Sequence, residues 1–241
     1  MKKFSKPIVA TVLAAAASTA GGWDITGNVA ITSDYLFRGI SRTDSDPALQ
    51  GGLDAIHETG FYTGVWGSNV QSAGNLELDY YAGYKNSLNE QISFDTGVIY
   101  YDYPGGSLGG GVDAEYWEIY GGLSYDLAQA IISGKISYSP DYFGETGTGL
   151  YYEAGLNVPL PLELDLALHA GYQTIDDGEA SKGGFFSSNE DSYSDWSIGI
   201  TKKLAGAGFN ITYSSTSLNR KDCGNTNICN DTLVFSISKG L

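Results

Sequence analysis

Residues 162–172 read LELDLALHAGY. Side chains alternate faces along an extended chain, so Leu162, Leu164, Leu166, Leu168, Ala170 and Tyr172 share one side and Glu163, Asp165 and His169 the other. The same period-2 pattern, rich in Tyr, Ile, Leu and Val, recurs along the whole chain between clusters of Gly, Asn, Asp and Ser. It predicts strands near 24–39, 47–57, 60–69, 75–86, 91–102, 113–125, 130–140, 149–158, 162–173, 193–203, 208–216 and 231–241. Twelve such segments with no helical pattern between them confine the chain to an all-β architecture. Their usual length, about ten residues, is what a tilted strand needs to cross a bilayer.

The connections separate a soluble sandwich from a membrane barrel. Alternate ones are short: ETG, SLNE, DLAQ, PLPL and AGA. The others are generally longer, up to TIDDGEASKGGFFSSNEDS and TSLNRKDCGNTNICN. A sandwich has no reason to gather its long loops at one end, whereas outer-membrane barrels have short periplasmic turns and long external loops. The expectation is a transmembrane antiparallel up-and-down β-barrel of about 12 strands with both termini periplasmic. On the inferred outward face, Tyr35, Tyr100, Trp117, Tyr138, Tyr152, Tyr172, Trp196 and Tyr213 lie near long-loop ends. Phe61, Tyr84, Tyr125 and Phe209 lie near short-turn ends, and apolar residues such as Val98, Ile119, Leu166 and Ile198 fall between. Membrane–water interfaces select two belts of this kind, which makes the lipid bilayer the partner of the greasy face.

The N-terminus fits export. Lys2, Lys3 and Lys6 precede the apolar run Pro7 to Ala17, and Ser18-Thr19-Ala20 offers small residues for cleavage before Gly21. Residues 1–20 read as a cleaved signal peptide and 21–241 as the barrel, because the run is shorter than a spanning helix requires. The formal net charge is −15 and becomes more negative without the signal, which counts against nucleic acid as a partner. In an exported chain, Cys223 and Cys229 suggest a local disulfide. The alternatives are free thiols or half of a metal site, although both histidines are remote in sequence.

The inward parity nominates Asp34, Arg38, Glu77, Asp79, Asp95, Glu118, Lys135, Glu153, Glu163, Asp165 and His169 as pore-lining residues. Carboxylates outnumber cations among them. One reading is a water-filled lumen of negative potential that favours cationic or polar solutes. The other is a plugged barrel whose acids pair with Arg38 and Lys135; the shortage of basic partners favours the first. Asp34 and Arg38 are expected either to clamp the first loop, with each other or with Asp44 or Asp46, or to be solvated rim charges. Arg42 reads as solvated.

The stretch GNVAITSDYLFRGISRTDSDPALQGGLD, followed by HETGFYTGVWGSNV and LELDYYAGY, resembles the TorF porin family, also described by the Gcw_chp domain. The matching motifs are SDYLFRGIS, the T-D-x-D-P-A-L-Q-G run after it, and G-F-Y-x-G-V-W-G-S-N-V. They cover roughly the first third of the chain, and the rest matches in strand rhythm. The resemblance implies an outer-membrane, porin-like barrel, inserted by the outer-membrane assembly machinery and passing small solutes. It implies no cofactor and no residue-level site, and it leaves the oligomeric state open.

A hydrolase barrel is the reading from another class. It needs a Ser–His pair at the lipid-facing rim or acid and His groups at the external mouth. Only His57 and His169 are present: the first adjoins a short turn, the second points inward with Asp165, and no G-x-S-x-G occurs. A closed structural or adhesive barrel is the stronger competitor to a pore.

Overall fold

A computed structural model describes residues 18–106, 108, 111–178, 184–188 and 190–241. Twelve antiparallel strands form the wall. They are β1 (Trp23–Thr32), β2 (Ala48–His57), β3 (Phe61–Asn69), β4 (Leu76–Ser87), β5 (Ile92–Asp102) and β6 (Tyr116–Asp126). The second half comprises β7 (Ile131–Ser139), β8 (Gly149–Leu160), β9 (Leu164–Ile175), β10 (Ser192–Leu204), β11 (Ala207–Thr216) and β12 (Thr232–Gly240). Each pairs with its sequence neighbour, and β12 closes the sheet on β1 through Ser236–Gly240 against Asn28–Thr32. Ser18–Ala20 adds a strip along the start of β1. No α-helix occurs among the described residues. Closure pairs the backbone N–H and C=O groups of the wall, the condition for strands to cross hydrocarbon.

The turn chemistry matches the short connections. Ala205 and Gly206, both at positive φ, make the two-residue turn from β10 to β11, closed by the Leu204–Ala207 pair. Pro161–Glu163 forms a single 3-10 turn between β8 and β9, with Leu162 at φ 65°. All long connections therefore lie at the opposite end.

The outward face is apolar. Exposed Ile25, Ile31, Val98, Ile119, Ile198, Ile211 and Phe235 form its band, with Tyr100, Trp117, Tyr138, Tyr152, Tyr172, Trp196 and Tyr213 toward the long loops. Phe61, Tyr125 and Phe209 stand exposed toward the short turns. Such exposure would be a large liability in water and is satisfied by lipid.

Three expectations need correction. The first strand stops at Thr32, because residues 33–47 leave the wall and turn into the barrel. Within them Leu36–Phe37 pairs with Ile40–Ser41, and Arg38 (φ 50°) and Gly39 (φ 78°) make the turn. Side chain is impossible at position 39 without displacement, since a Cβ there would lie 2.6 Å from Thr216 Cγ2 and 2.9 Å from Asp195 Cβ. Tyr35 consequently leaves the aromatic belt and points inward to donate to Glu77. Glu163 lies in the short turn, not the lumen; its side chain is 77 % exposed.

Cys223 and Cys229 form a disulfide within the last long loop. That loop presses on the folded-in segment, where Ser41 N donates to Ile228 O, and Thr216 Oγ1 donates to Cys229 O. The bridge closes only a short loop, so the double Ser variant should lose at most about 2–3 kcal/mol on the chain-entropy estimate. Urea unfolding in micelles checks this, and failure of the barrel to assemble would show that the bridge does more than tidy the loop.

Candidate functional site

The lumen divides into two halves of different character. In the half toward the long loops, Ile40, Tyr101, Tyr103, Tyr116, Tyr142, Phe143, Phe186 and Tyr193 build a buried core. Tyr101 and Tyr116 stack at 4.4 Å between centroids, and Tyr103 and Thr43 have no exposed surface. Wall strands supply some of these rings and long loops the rest. The hairpin around Arg38 sits among them as a plug.

Two arginines lock the plug. Arg38, at the hairpin tip, forks its guanidinium: Nη2 donates to Glu118 Oε2 at 2.7 Å and Nη1 to Gln173 Oε1 at 2.6 Å. Its Cζ also lies 4.2 Å from the Tyr151 ring centroid. Burial opposes the charge on Arg38, while the Glu118 carboxylate and the surrounding tyrosines together favour it, and its pKa stands above the ordinary value. Arg42 donates to the Tyr103 hydroxyl at 2.8 Å, lies 3.9 Å from Glu77 and stacks over Phe143. It is buried, against the solvated position expected from sequence. Asp34 pairs with neither arginine: it is buried and accepts from Ser41 Oγ and Thr43 Oγ1, bracing the hairpin from within. Burial, reinforced by Glu77, raises the Tyr35 phenol above its ordinary range, which keeps it a hydrogen-bond donor.

Toward the short turns the lumen is polar and solvent-accessible. Lys135 pairs with Glu153 at 2.7 Å, and Lys203 with Asp165 at 3.2 Å. Where this half meets the plug, His169 Nε2 lies 2.9 Å from Oδ1 of the buried Asp195, and the buried Tyr151 hydroxyl donates to the same carboxylate. Asp95 accepts from Tyr62 at 2.6 Å, and Asp54 accepts from Tyr81 at 2.6 Å. Tyr62 and Tyr120 hydroxyls also touch. Asp79 is inward on β4, and its Oδ1 is buried without a hydrogen-bond partner. Thus Asp95, Lys135, Glu153, Asp165 and His169 line the wetter half, while Glu77 and Glu118 are consumed by the plug.

Several participants escaped the sequence reading: Arg42, Asp54, Tyr103, Tyr151, Gln173 and Asp195. Strict parity carries Asp54, Tyr151, Gln173 and Asp195 inward on their strands, so alternation could have found those four. Nothing local marks Tyr103, which lies beyond the end of β5.

A closed antiparallel barrel, apolar outside and polar inside with a loop folded into one mouth, defines a porin-type barrel of transmembrane strands. Within that class the chain belongs to a family described as "Bacterial protein of unknown function (Gcw_chp)", whose model matches residues 16–241. Comparison with curated proteins found no match. Among solved structures the chain is similar to the NanC porin, with TM-score 0.57, 9% identity, and 89% of this chain and 97% of that one covered. It is similar also to the KdgM porin, with TM-score 0.56, 7% identity, and 90% and 96% covered. At such identities the likeness concerns the fold.

Proposed function

We propose that this protein is an outer-membrane channel for passive diffusion of small polar solutes, cationic ones above all, and that residues 33–47 narrow its outer mouth. The observation that carries this reading is the accessible, carboxylate-bearing lumen below a plug that forms no part of the wall's strand ladder. Asp54, Asp95, Glu153 and Asp165 face that space, against Lys85, Lys135 and Lys203. Low-dielectric walls focus their field. In this reading the short turns and both termini face the periplasm, and residues 1–20 direct export and are removed between Ala20 and Gly21. The channel performs no chemistry: the two histidines serve structure, His57 bonding Thr59 beside a short turn and His169 bracing Asp195.

A second reading, a closed barrel without conduction, is favoured by the dry plug itself, with Tyr103 and Thr43 fully buried. Planar bilayers under a salt gradient test both. A cation-selective reversal potential is expected, strongest in dilute salt, because the Debye length shrinks from about 10 Å at 0.1 M to about 3 Å at 1 M. Changing Glu153 to Gln and Asp165 to Asn frees Lys135 and Lys203 and should shift the potential toward anions. Anion preference in the unmodified protein would overturn the solute assignment. Silence from folded protein, with the plug docked or released, would establish the closed barrel.

A further inference from the structure

The outer wall carries a concavity of about 900 Å³ spread over β9 to β12 and β1. A barrel exterior is ordinarily convex, and this volume falls in the range of small-molecule sites. The groove follows one row of cross-strand partners: Lys202 on β10, Phe209 on β11, Ile237 on β12 and Ile31 on β1. Ile211 and Phe235 line it one step away, so its walls are almost wholly apolar. It starts at the short-turn end of β10 and climbs obliquely to Ile31 and Pro47 beside the long loops.

Charge is placed at one end of it only. Lys202 is outward because it pairs with Leu164 and Phe209. Lys239 is outward because it pairs with exposed Val29 and alternates with exposed Ile237. Among the described wall residues these are the outward-facing cations; Lys85 lies over inward Tyr62, while Lys135 and Lys203 pair with inward acids. Both stand at the short-turn ends of their strands, at headgroup level; Lys239 lies two strands over and two residues beyond Ile237, the row partner of Lys202, which is about 12 Å by strand spacing and rise. Lys202 Nζ touches Leu162 O and lies 3.9 Å from Glu163, whose side chain is exposed.

We propose that this groove binds an anionic glycerophospholipid, its acyl chains along the Phe209–Ile237–Ile31 row and its phosphate between Lys202 and Lys239. Because hydrocarbon already covers this face, close packing of the acyl chains in the groove supplies the affinity and the lysine pair the headgroup selectivity. The site does not depend on the lumen being open.

Native mass spectrometry in non-ionic detergent, with equal amounts of phosphatidylglycerol and phosphatidylcholine of identical chains, tests it. One phosphatidylglycerol should be retained in preference, about fivefold for each lysine and roughly 25-fold for the pair. Lys202→Gln with Lys239→Gln should abolish the preference, whereas Ile200→Trp, which fills the groove, should lose both lipids with the charges intact. Glu163→Gln should strengthen retention by removing the competing carboxylate. Unheated-gel mobility confirms folding of each variant. Equal retention of the two lipids, an unchanged preference in the double lysine variant, or displacement of phosphatidylglycerol by lipid A would overturn the proposal.

Discussion

Arg38→Ala should release the plug, raising single-channel conductance and exposing residues 33–47 to protease, while the barrel stays folded. The guanidinium satisfies Glu118 and Gln173 together, and both are buried, at 2 % and 0 % exposure. Removing one partner of a buried ion pair strands the other, a loss of about 3–5 kcal/mol. The loop cannot lose more than its own docking free energy, so the penalty is relieved by local opening that returns water to Glu118. The wall is untouched, because its ladder hydrogen bonds involve no plug side chain. Arg38→Lys should be intermediate: an ammonium keeps the charge but lacks the planar fork that reaches both acceptors. Arg38→Met combined with Glu118→Leu should close better than Arg38→Ala, since an apolar pair leaves no buried charge without a partner. Proteolysis and conductance identical to the parent in Arg38→Ala would show that the arginine is no latch.

The same pair of residues shows where sequence stops informing. Wall strands were legible because a two-sided environment, lipid against water, writes itself as strict alternation; the run expected at 60–69 appears as Phe61–Asn69, and that at 91–102 as Ile92–Asp102. Alternation reports that side chains change sides, not which surface each side meets. TSDYLFRGIS loses the period after Thr32, with Ser33-Asp34 and then Tyr35-Leu36-Phe37 in succession, and there the chain has entered the lumen. The cue was the Arg38-Gly39 dipeptide between apolar neighbours, a two-residue hairpin signal. PLPLELDL misled, because the alternation runs unbroken through the turn that exposes Glu163. The locking contacts leave no local trace at all: Arg38 and Glu118 stand 80 residues apart, Arg38 and Gln173 135 apart. The balance of acids over cations was likewise visible, but not that tyrosine hydroxyls would satisfy Asp54, Asp95 and Asp195 in place of the missing cations.

Leu168→Arg should be among the most damaging substitutions in the wall, and Ala167→Arg, its neighbour, among the mildest. Leu168 pairs laterally with Leu156 and Ile198, and Ile198 is exposed on the lipid side. It lies midway between Leu164, at the short-turn end of β9, and Tyr172 in the aromatic belt, so an arginine there meets hydrocarbon near the bilayer centre. The cost at that depth is about 2–4 kcal/mol. Ala167 faces the lumen between Asn157 and Gly199, with Asp165 two residues away on the same side. Ala167 is itself exposed, so a guanidinium there has water and a carboxylate within reach. Its cost should stay below about 1 kcal/mol, the range of a solvated surface change. Urea titration of the two variants folded into lipid vesicles, compared with the parent, measures the difference directly. The contrast is sharp because the positions are adjacent in sequence and share one strand, leaving only the facing to distinguish them. Equal penalties, or a larger one at Ala167, would mean that the lumen is dry at this level or that β9 does not present Leu168 to lipid.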